Sequence, residues 1–305
     1  LQHNKTIVVD GKECKAVVCG STNFSWRGFY IQNNNAMVLR GAKTVAVFSE
    51  AFDDYWANDS VVGFGPTAPA SRWMDLGLAG IDARVTFSPH GAKHAVLDDI
   101  ANDVEKNARS SVFYSLAFLG QTTGSIRDAI TAVTKNNEVF VYGMADQQVG
   151  GMPSLKIGIS GGNLPPVFPQ ALVKNLPQPF KREPTGLAGE DENQRGTRMH
   201  HKFIVLDFDR PSARVYFGSY NFSGPADTKN GENLLLIKDR RIATSYMVEA
   251  LRIFDHYHFR ILQQQAKKKD EKLQLRKPPQ KASQKAWFDE DFERPDKIRD
   301  RELFA

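Results

Sequence analysis

Short runs rich in Val, Ile and Leu alternate with longer amphipathic stretches over most of the chain. Residues 3–10, 14–22 and 34–39 read as three strands, apolar enough for a sheet buried on both faces, and 42–56 reads as a helix packed on it. Gly63, Gly65, Pro66 and Pro69 mark 60–80 as a connection. A second series then begins, with strand 83–87, helix 93–107, strand 110–118, helix 124–136 and strand 138–145. This order predicts an α/β sandwich with a largely parallel or mixed sheet. Patterning fails between Asp146 and Thr197, where Gly150-Gly151, Gly161-Gly162, Pro165-Pro166 and the stretch from Pro177 to Pro184 describe a long loop. Strands resume at 199–207, 213–220 and 233–238, and a helix over 241–264 closes the series. The division that follows is a first unit at 1–59, a linker at 60–82, a second unit at 83–264 and a charged, flexible tail at 265–305.

Composition narrows the class without naming a chemistry. Apolar residues make up 41% of the 305, enough for a real core, and no apolar run reaches the roughly 18 residues of a membrane-spanning helix. The net charge of +5 suits an anionic partner, although Lys267-Lys268-Lys269 in the tail dilute that clue. Cys14 and Cys19 are the only cysteines; on one strand their odd separation points them to opposite faces, which argues against a mutual disulfide. Two cysteines do not close a zinc site, and His90 and His94, at helical spacing but outside any HExxH context, read as helix-entry or surface histidines. His256 and His258 read as parts of the closing helix. No metal and no cofactor is expected.

The chemistry lies in a repeat of polar residues. His3-Asn4-Lys5, Asp10 and Gly20-Ser21-Thr22-Asn23-Phe24-Ser25 recur about 197 residues later as His200-His201-Lys202, Asp207 and Gly218-Ser219-Tyr220-Asn221-Phe222-Ser223. The order H-x-K-x4-D, then G-S-x-N-F-S, is kept in both copies, with one extra residue before the second Gly-Ser. Two long matches of this kind point to two copies of one unit and to a site where they meet. A buried strand and a Gly-containing turn can be kept for packing, but packing does not ask for His and Lys. Strand parity puts His3 and Lys5 on one face and Asp10 on the other, and separates His200 and Lys202 from Asp207 in the same way. Each Asp is therefore read as bracing its strand or the neighbouring turn from behind. Ser21 with Asn23, and Ser219 with Asn221, are two apart and can point one way at a strand end, where Gly20 and Gly218 make the turn.

These residues resemble the phospholipase D superfamily, whose HKD motifs occur twice in its two-lobed members. The resemblance covers both motif regions and, more weakly, the element pattern from about Ala83 to Leu262. It implies a two-lobed α/β sandwich with mixed sheets flanked by helices, and one metal-free phosphodiesterase site at a pseudo-two-fold axis. It also implies a covalent phosphohistidine intermediate, with His3 the candidate nucleophile and His200 the candidate acid/base. The residue types agree, since two imidazoles in unlike surroundings can serve as neutral nucleophile and protonated acid. Lys5, Lys202, Asn23, Asn221, Ser21 and Ser219 are the candidate phosphate-binding residues, placing positive charge and hydrogen-bond donors on the non-bridging oxygens. One difference between the copies matters: eleven positions after Asn221 stands Glu232, and eleven after Asn23 stands Asn34. In related enzymes an acidic residue near this place orients a catalytic imidazole, so Glu232 is the candidate orienter and Asn34 its neutral counterpart.

The chain enters its first motif at once, whereas residues 83–197 precede the second. The first lobe is accordingly expected to be incomplete, as in a fragment or a processed product, and the compartment is unreadable. By resemblance the leading substrate is phospholipid, with hydrolysis or transphosphatidylation as the reaction. Trp26, Phe29 and Tyr30 follow the first Gly-Ser-x-Asn directly and either line an apolar site mouth, meet an interface or pack in a core or lid. A nuclease of the same chemistry is the runner-up, favoured by the basic charge but not by any aromatic/basic nucleic-acid module. A catalytically inactive binding or scaffold protein is the third reading; two intact motifs argue against it. The long loop before the second motif is expected to wall the site, and the sequence carries no signal of oligomeric state.

Overall fold

The computed structural model of the chain describes residues 1–30, 32–119, 124–136, 138–145, 199–268, 278–281 and 283–305. The loop expected to wall the site, 146–197, lies outside the described residues. The first repeat forms an antiparallel sheet in the order β1-β2-β3, with β1 at Thr6–Asp10, β2 at Lys15–Gly20 and β3 at Ala36–Arg40. A short helix, α1 (Trp26–Tyr30), separates β2 from β3, and α2 (Ala42–Ala57) follows. Val45, Phe48 and Ala51 recur at helical spacing along α2 and bury one stripe of it. On the sheet, Val17, Cys19 and Leu39 join the same core, while Cys14 is exposed; both cysteines are free thiols.

The chain then runs through two single-turn helices, α3 (Val61–Phe64) and α4 (Ala68–Ser71), to β4 (Met74–Asp75) and β5 (Asp82–Ser88). The helix expected at 93–107 appears as a 3-10 turn at Ala92–His94, α5 (Leu97–Asn102) and a π turn at Asp103–Asn107. It leads to β6 (Ser111–Leu116), α6 (Ser125–Thr134) and β7 (Phe140–Met144). The second repeat supplies β8 (Lys202–Leu206), β9 (Arg214–Gly218), α7 (Gly224–Thr228), β10 (Glu232–Lys238) and the long α8 (Arg240–Lys268). These strands order as β4-β5-β10-β9-β8-β6-β7, and β6–β7 is the parallel pair while the other neighbours run antiparallel. The sheet is thus mixed, and the largely parallel alternative fails because β8, β9 and β10 follow one another by short returns that reverse direction.

Period two divides this sheet between two layers. Phe113, Phe203, Val205, Phe217 and Leu235 face α8, where Ala243, Met247, Ala250 and Phe254 meet them together with the first repeat's core residues. Tyr114, Ile204, Leu206 and Leu236 face Ile100 of α5, Val104 of the π turn and Ile126, Ile130 and Val133 of α6. One apolar cluster therefore runs through both repeats.

Three expectations change. Two-sided burial fails in β1, where Ile7 is 47% and Val9 42% exposed, because among the described residues no strand pairs with its outer edge and no helix covers that face. Their counterparts Ile204 and Leu206 are fully buried under α5 and α6. The 60–82 linker is built into the second sheet, since Phe64, Ala70 and Leu76 enter the core and β4 pairs with β5. The tail is not uniformly solvated: α9 (Glu290–Glu293) and α10 (Pro295–Leu303) end in Phe304, whose ring centroid lies 5.4 Å from that of Phe140 and 5.7 Å from that of Phe208.

Candidate active site at the junction of the repeats

The strands that carry the two His-Lys pairs are held by matching bonds, each made to the other repeat. Gln2 bridges to Gly231 and Met199 to Asn33, both in parallel sense. One step on, His3 N–H donates to the Gly231 carbonyl at 2.8 Å and His200 N–H to the Asn33 carbonyl at 2.8 Å. Gly20 and Gly218 turn at φ 154° and 155°, and a Cβ on either would stand 2.2 Å from the carbonyl oxygen of Asn35 or Asn233. Only glycine allows so close a strand crossing. Behind the turns, Ser21 Oγ and Ser219 Oγ each accept from the backbone N–H of Asn35 and Asn233 at 3.0 Å. Both serines are fully buried, and these bonds brace the turn.

The imidazoles are held across the junction as well. His3 Nδ1 lies 2.7–2.8 Å from both carboxylate oxygens of Glu232, a fully buried residue at the start of β10. His200 Nδ1 lies 2.8 Å from Asn34 Oδ1 and 3.0 Å from the Ser21 carbonyl. Since these partners are acceptors, each Nδ1 carries the hydrogen and each Nε2 is the atom left for chemistry. Glu232 and Asn34 thus orient the histidine of the opposite repeat, one with a charge and the other with a neutral amide.

Electrostatics separate the two rings further. His200 is 4% exposed, and burial together with the neighbouring Lys202 and Lys5 pushes its pKa down to about 2, so the resting ring is neutral. Lys202 lies 3.1 Å from His200 Nε2, and burial holds its ammonium well below the usual lysine range against the pull of Glu232. Burial also brings Lys5 down to about 8, again opposed by Glu232. Two lysines and two imidazoles around one buried carboxylate make a pocket short of negative charge, which an anionic group would supply.

The two motif aspartates stand apart from this cluster and differ from one another. Asp207, fully buried at φ 54°, accepts from the N–H groups of Arg109 and Ser110 at 2.8 and 2.9 Å and pairs with Arg214 at 3.3 Å. It braces the end of β8 from behind, as parity suggests. Asp10 is exposed and forms a surface pair with Lys15 across the hairpin. Asp207→Ala should therefore lower unfolding free energy by about 3–5 kcal/mol in denaturant titration, and Asp10→Ala by less than about 0.5 kcal/mol. Equal effects would refute the asymmetry.

Asn23 and Asn221 are both half-buried in the turns beyond the glycines, and Asn221 Oδ1 is buried without a donor among the described residues. Sequence reasoning missed several supports. Asn233 Nδ2 donates to Asn4 Oδ1 at 2.8 Å, tying the residue after Glu232 to the residue after His3. Of the two readings of His90, helix entry or surface, the surface one fails: it stands buried just before the Ala92–His94 turn, its Nδ1 meets Asp227 Oδ1 at 2.7 Å and its Nε2 meets Thr86 Oγ1 at 3.0 Å, which pins α7 behind the second turn. The signal available for that clamp was Asp227 standing where the first copy has Phe29.

The chain is similar to several known proteins. The family described as "Cardiolipin synthase, PLD-like domain" matches residues 1–56 and 105–254. Phospholipase D from Rickettsia prowazekii is 44% identical over 48 residues, and phospholipase D from Rickettsia felis 42% over 48. Each match covers 16% of this chain and 22% of the relative, so the chain spans about a fifth of the length of these curated proteins. Phosphatidylserine synthase from Haemophilus influenzae shares the fold at a TM-score of 0.51 and 13% identity, over 85% of this chain and 62% of that one. Nuc from Salmonella typhimurium, a phospholipase D family member, aligns at a TM-score of 0.36 and 22% identity, over 57% of this chain and 95% of its own.

Proposed function

Because the chain belongs to the PLD-like domain family of the phospholipase D superfamily, we propose that its paired site is a metal-independent phosphodiesterase that cleaves a phospholipid through a phosphohistidine. The observation that carries the proposal is the crossed pairing, His3 with Glu232 and His200 with Asn34, which gives two imidazoles unlike electrostatic settings. In the first step His3 Nε2 attacks phosphorus, forming an N–P bond while the P–O bond to the head-group alcohol breaks. His200 gives its Nε2 proton to the departing oxygen. The phosphoimidazole that results bears positive charge, and the Glu232 carboxylate at His3 Nδ1 offsets it. This charge match supports His3 as the nucleophile.

His200 must gain a proton before the first step, although its resting state is neutral. The entering phosphodiester supplies the negative charge that the pocket lacks, which raises the basicity of His200 and draws Lys202 onto a phosphate oxygen. In the second step His200 takes a proton from water as the water oxygen attacks phosphorus, the N–P bond breaks, and His3 and protonated His200 are restored. An alcohol in place of water completes a transphosphatidylation. Lys5 and Lys202 bind the non-bridging oxygens, and Asn23 and Asn221 add amide hydrogen bonds as charge builds there.

The same chemistry on DNA or RNA is the alternative that the basic net charge favours. Phosphatidylcholine vesicles and single-stranded DNA, each incubated with the protein in EDTA, separate the two: choline release is expected, without strand nicking. Nicking alone moves the assignment to a nuclease. Cleavage of neither by folded protein refutes the enzyme on these substrates.

A further inference from the structure

The turn after the first Gly-Ser opens into aromatic side chains that the core does not take up. Phe24 is 48%, Phe29 59% and Tyr30 65% exposed, with Trp26 at 38%. They meet in pairs, Phe24 stacked on Phe29 at 6.3 Å and Trp26 tilted against Tyr30 at 5.8 Å between ring centroids. The second copy uses the same positions in the opposite way: Phe222 and Asp227, counterparts of Phe24 and Phe29, are 4% and 3% exposed. Exposure here is thus a property of one repeat and not of the motif.

This aromatic patch is fastened to the catalytic groups. Gly28 lies so close to the Asn23 backbone that an added Cβ would stand 2.0 Å from the Asn23 carbonyl oxygen. Asn34 Nδ2 donates to the Gly28 carbonyl at 2.9 Å while Asn34 Oδ1 meets His200 Nδ1 at 2.8 Å, so one side chain holds both α1 and a reacting imidazole. Charge adds a direction: the segment from Gly20 to Asn35 carries no acidic residue and has Arg27 on α1, whereas Lys15, Arg40 and Lys43 lie at the opposite end of the β2–β3 pair, where Lys15 and Lys43 are paired with Asp10 and Asp75. A turn without carboxylates that sets one Arg, a Tyr and a Trp beside Phe suits the boundary between lipid phosphates and acyl chains, where such rings place an apolar body below and a polar tip above. A single-stranded nucleic acid fits less well, since its bases need open ring faces and a basic track, whereas these rings face one another in pairs and α1 carries a single Arg.

We propose that Phe24, Phe29 and Tyr30 on the α1 turn are a membrane-docking wedge, which seats in an anionic phospholipid surface and brings the paired histidines to the head-group plane. The proposal deepens the phospholipid reading and rests on it for substrate, so its test needs an arm that is independent of lipid. Phe29→Ser/Tyr30→Ser should reduce partition onto phosphatidylcholine–phosphatidylglycerol vesicles by about tenfold to a hundredfold in co-sedimentation. Turnover of the soluble diester bis(p-nitrophenyl) phosphate should be unchanged, which also shows that the variant is folded. Phe52→Ser/Trp56→Ser, which removes an exposed stacked pair on α2, should leave vesicle binding intact. Unchanged vesicle binding in the α1 variant, equal loss in the α2 variant, or loss of single-stranded DNA binding in place of vesicle binding would each overturn the wedge. Failure of the diester assay in the unmutated protein would instead count against the catalytic reading.

Discussion

His3→Ala and His200→Ala are each expected to lower phospholipid turnover by at least about a thousandfold, because a two-step exchange at phosphorus stops when either imidazole is missing. The two losses should differ in kind with bis(p-nitrophenyl) phosphate, whose leaving phenolate needs no acid. In His200→Ala the first step then proceeds and the second, which needs a base for water, does not. The result should be a burst of one p-nitrophenolate per site and an acid-labile phosphoryl group on His3, located by peptide mapping. His3→Ala should give no burst. A phosphoryl group trapped on His200 would exchange the two roles, and full turnover by either variant would refute a shared site.

Glu232→Gln is expected to cost about 10²–10⁴ in kcat, since the amide keeps the contact with His3 Nδ1 but removes the charge that stabilises a phosphoimidazole. The pH profile distinguishes this from simple damage. Lys5 is charged below about 8 and neutral above it, so activity that needs its charge falls as pH rises through that value. Burial lowers Lys5, and Glu232 opposes the shift. With the carboxylate gone, Lys5 loses its proton at lower pH and the alkaline limb moves to the acid side. A variant that scaled the whole profile down without moving the limb would indicate a packing defect and remove Glu232 from its orienting role.

Much of this architecture was legible because its determinants are local. Continuous apolar runs in Lys202–Leu206 and Arg214–Gly218, and the helical stripe of Ala42–Ala57, announce their elements without tertiary help. The His-Lys pairs and the contrast of Glu232 with Asn34 were readable because a duplicated sequence supplies its own comparison. What stayed hidden depends on distant partners. His90 reads as a helix-entry or surface residue until Asp227, 137 positions away, is packed against it. The bonds that Asn35 and Asn233 make to the hydroxyls of Ser21 and Ser219 exist only once the strands pair. The exposure of Ile7 and Val9 is likewise invisible in a pattern that predicts a covered strand, because coverage is decided by which element lies alongside. Phe304 escaped notice for the opposite reason, as a single aromatic at the end of a charged stretch whose role is fixed by the rings it meets.

The exchange of orienting residues between the repeats has a consequence for heredity. His3 depends on a carboxylate encoded 229 positions downstream, and His200 on an amide encoded 166 positions upstream. A crossover anywhere between Asn35 and Met199 that joined this first repeat to a foreign second one would hand each histidine a stranger's support. A substitution at position 34 or 232 therefore acts first on the histidine of the other half of the chain.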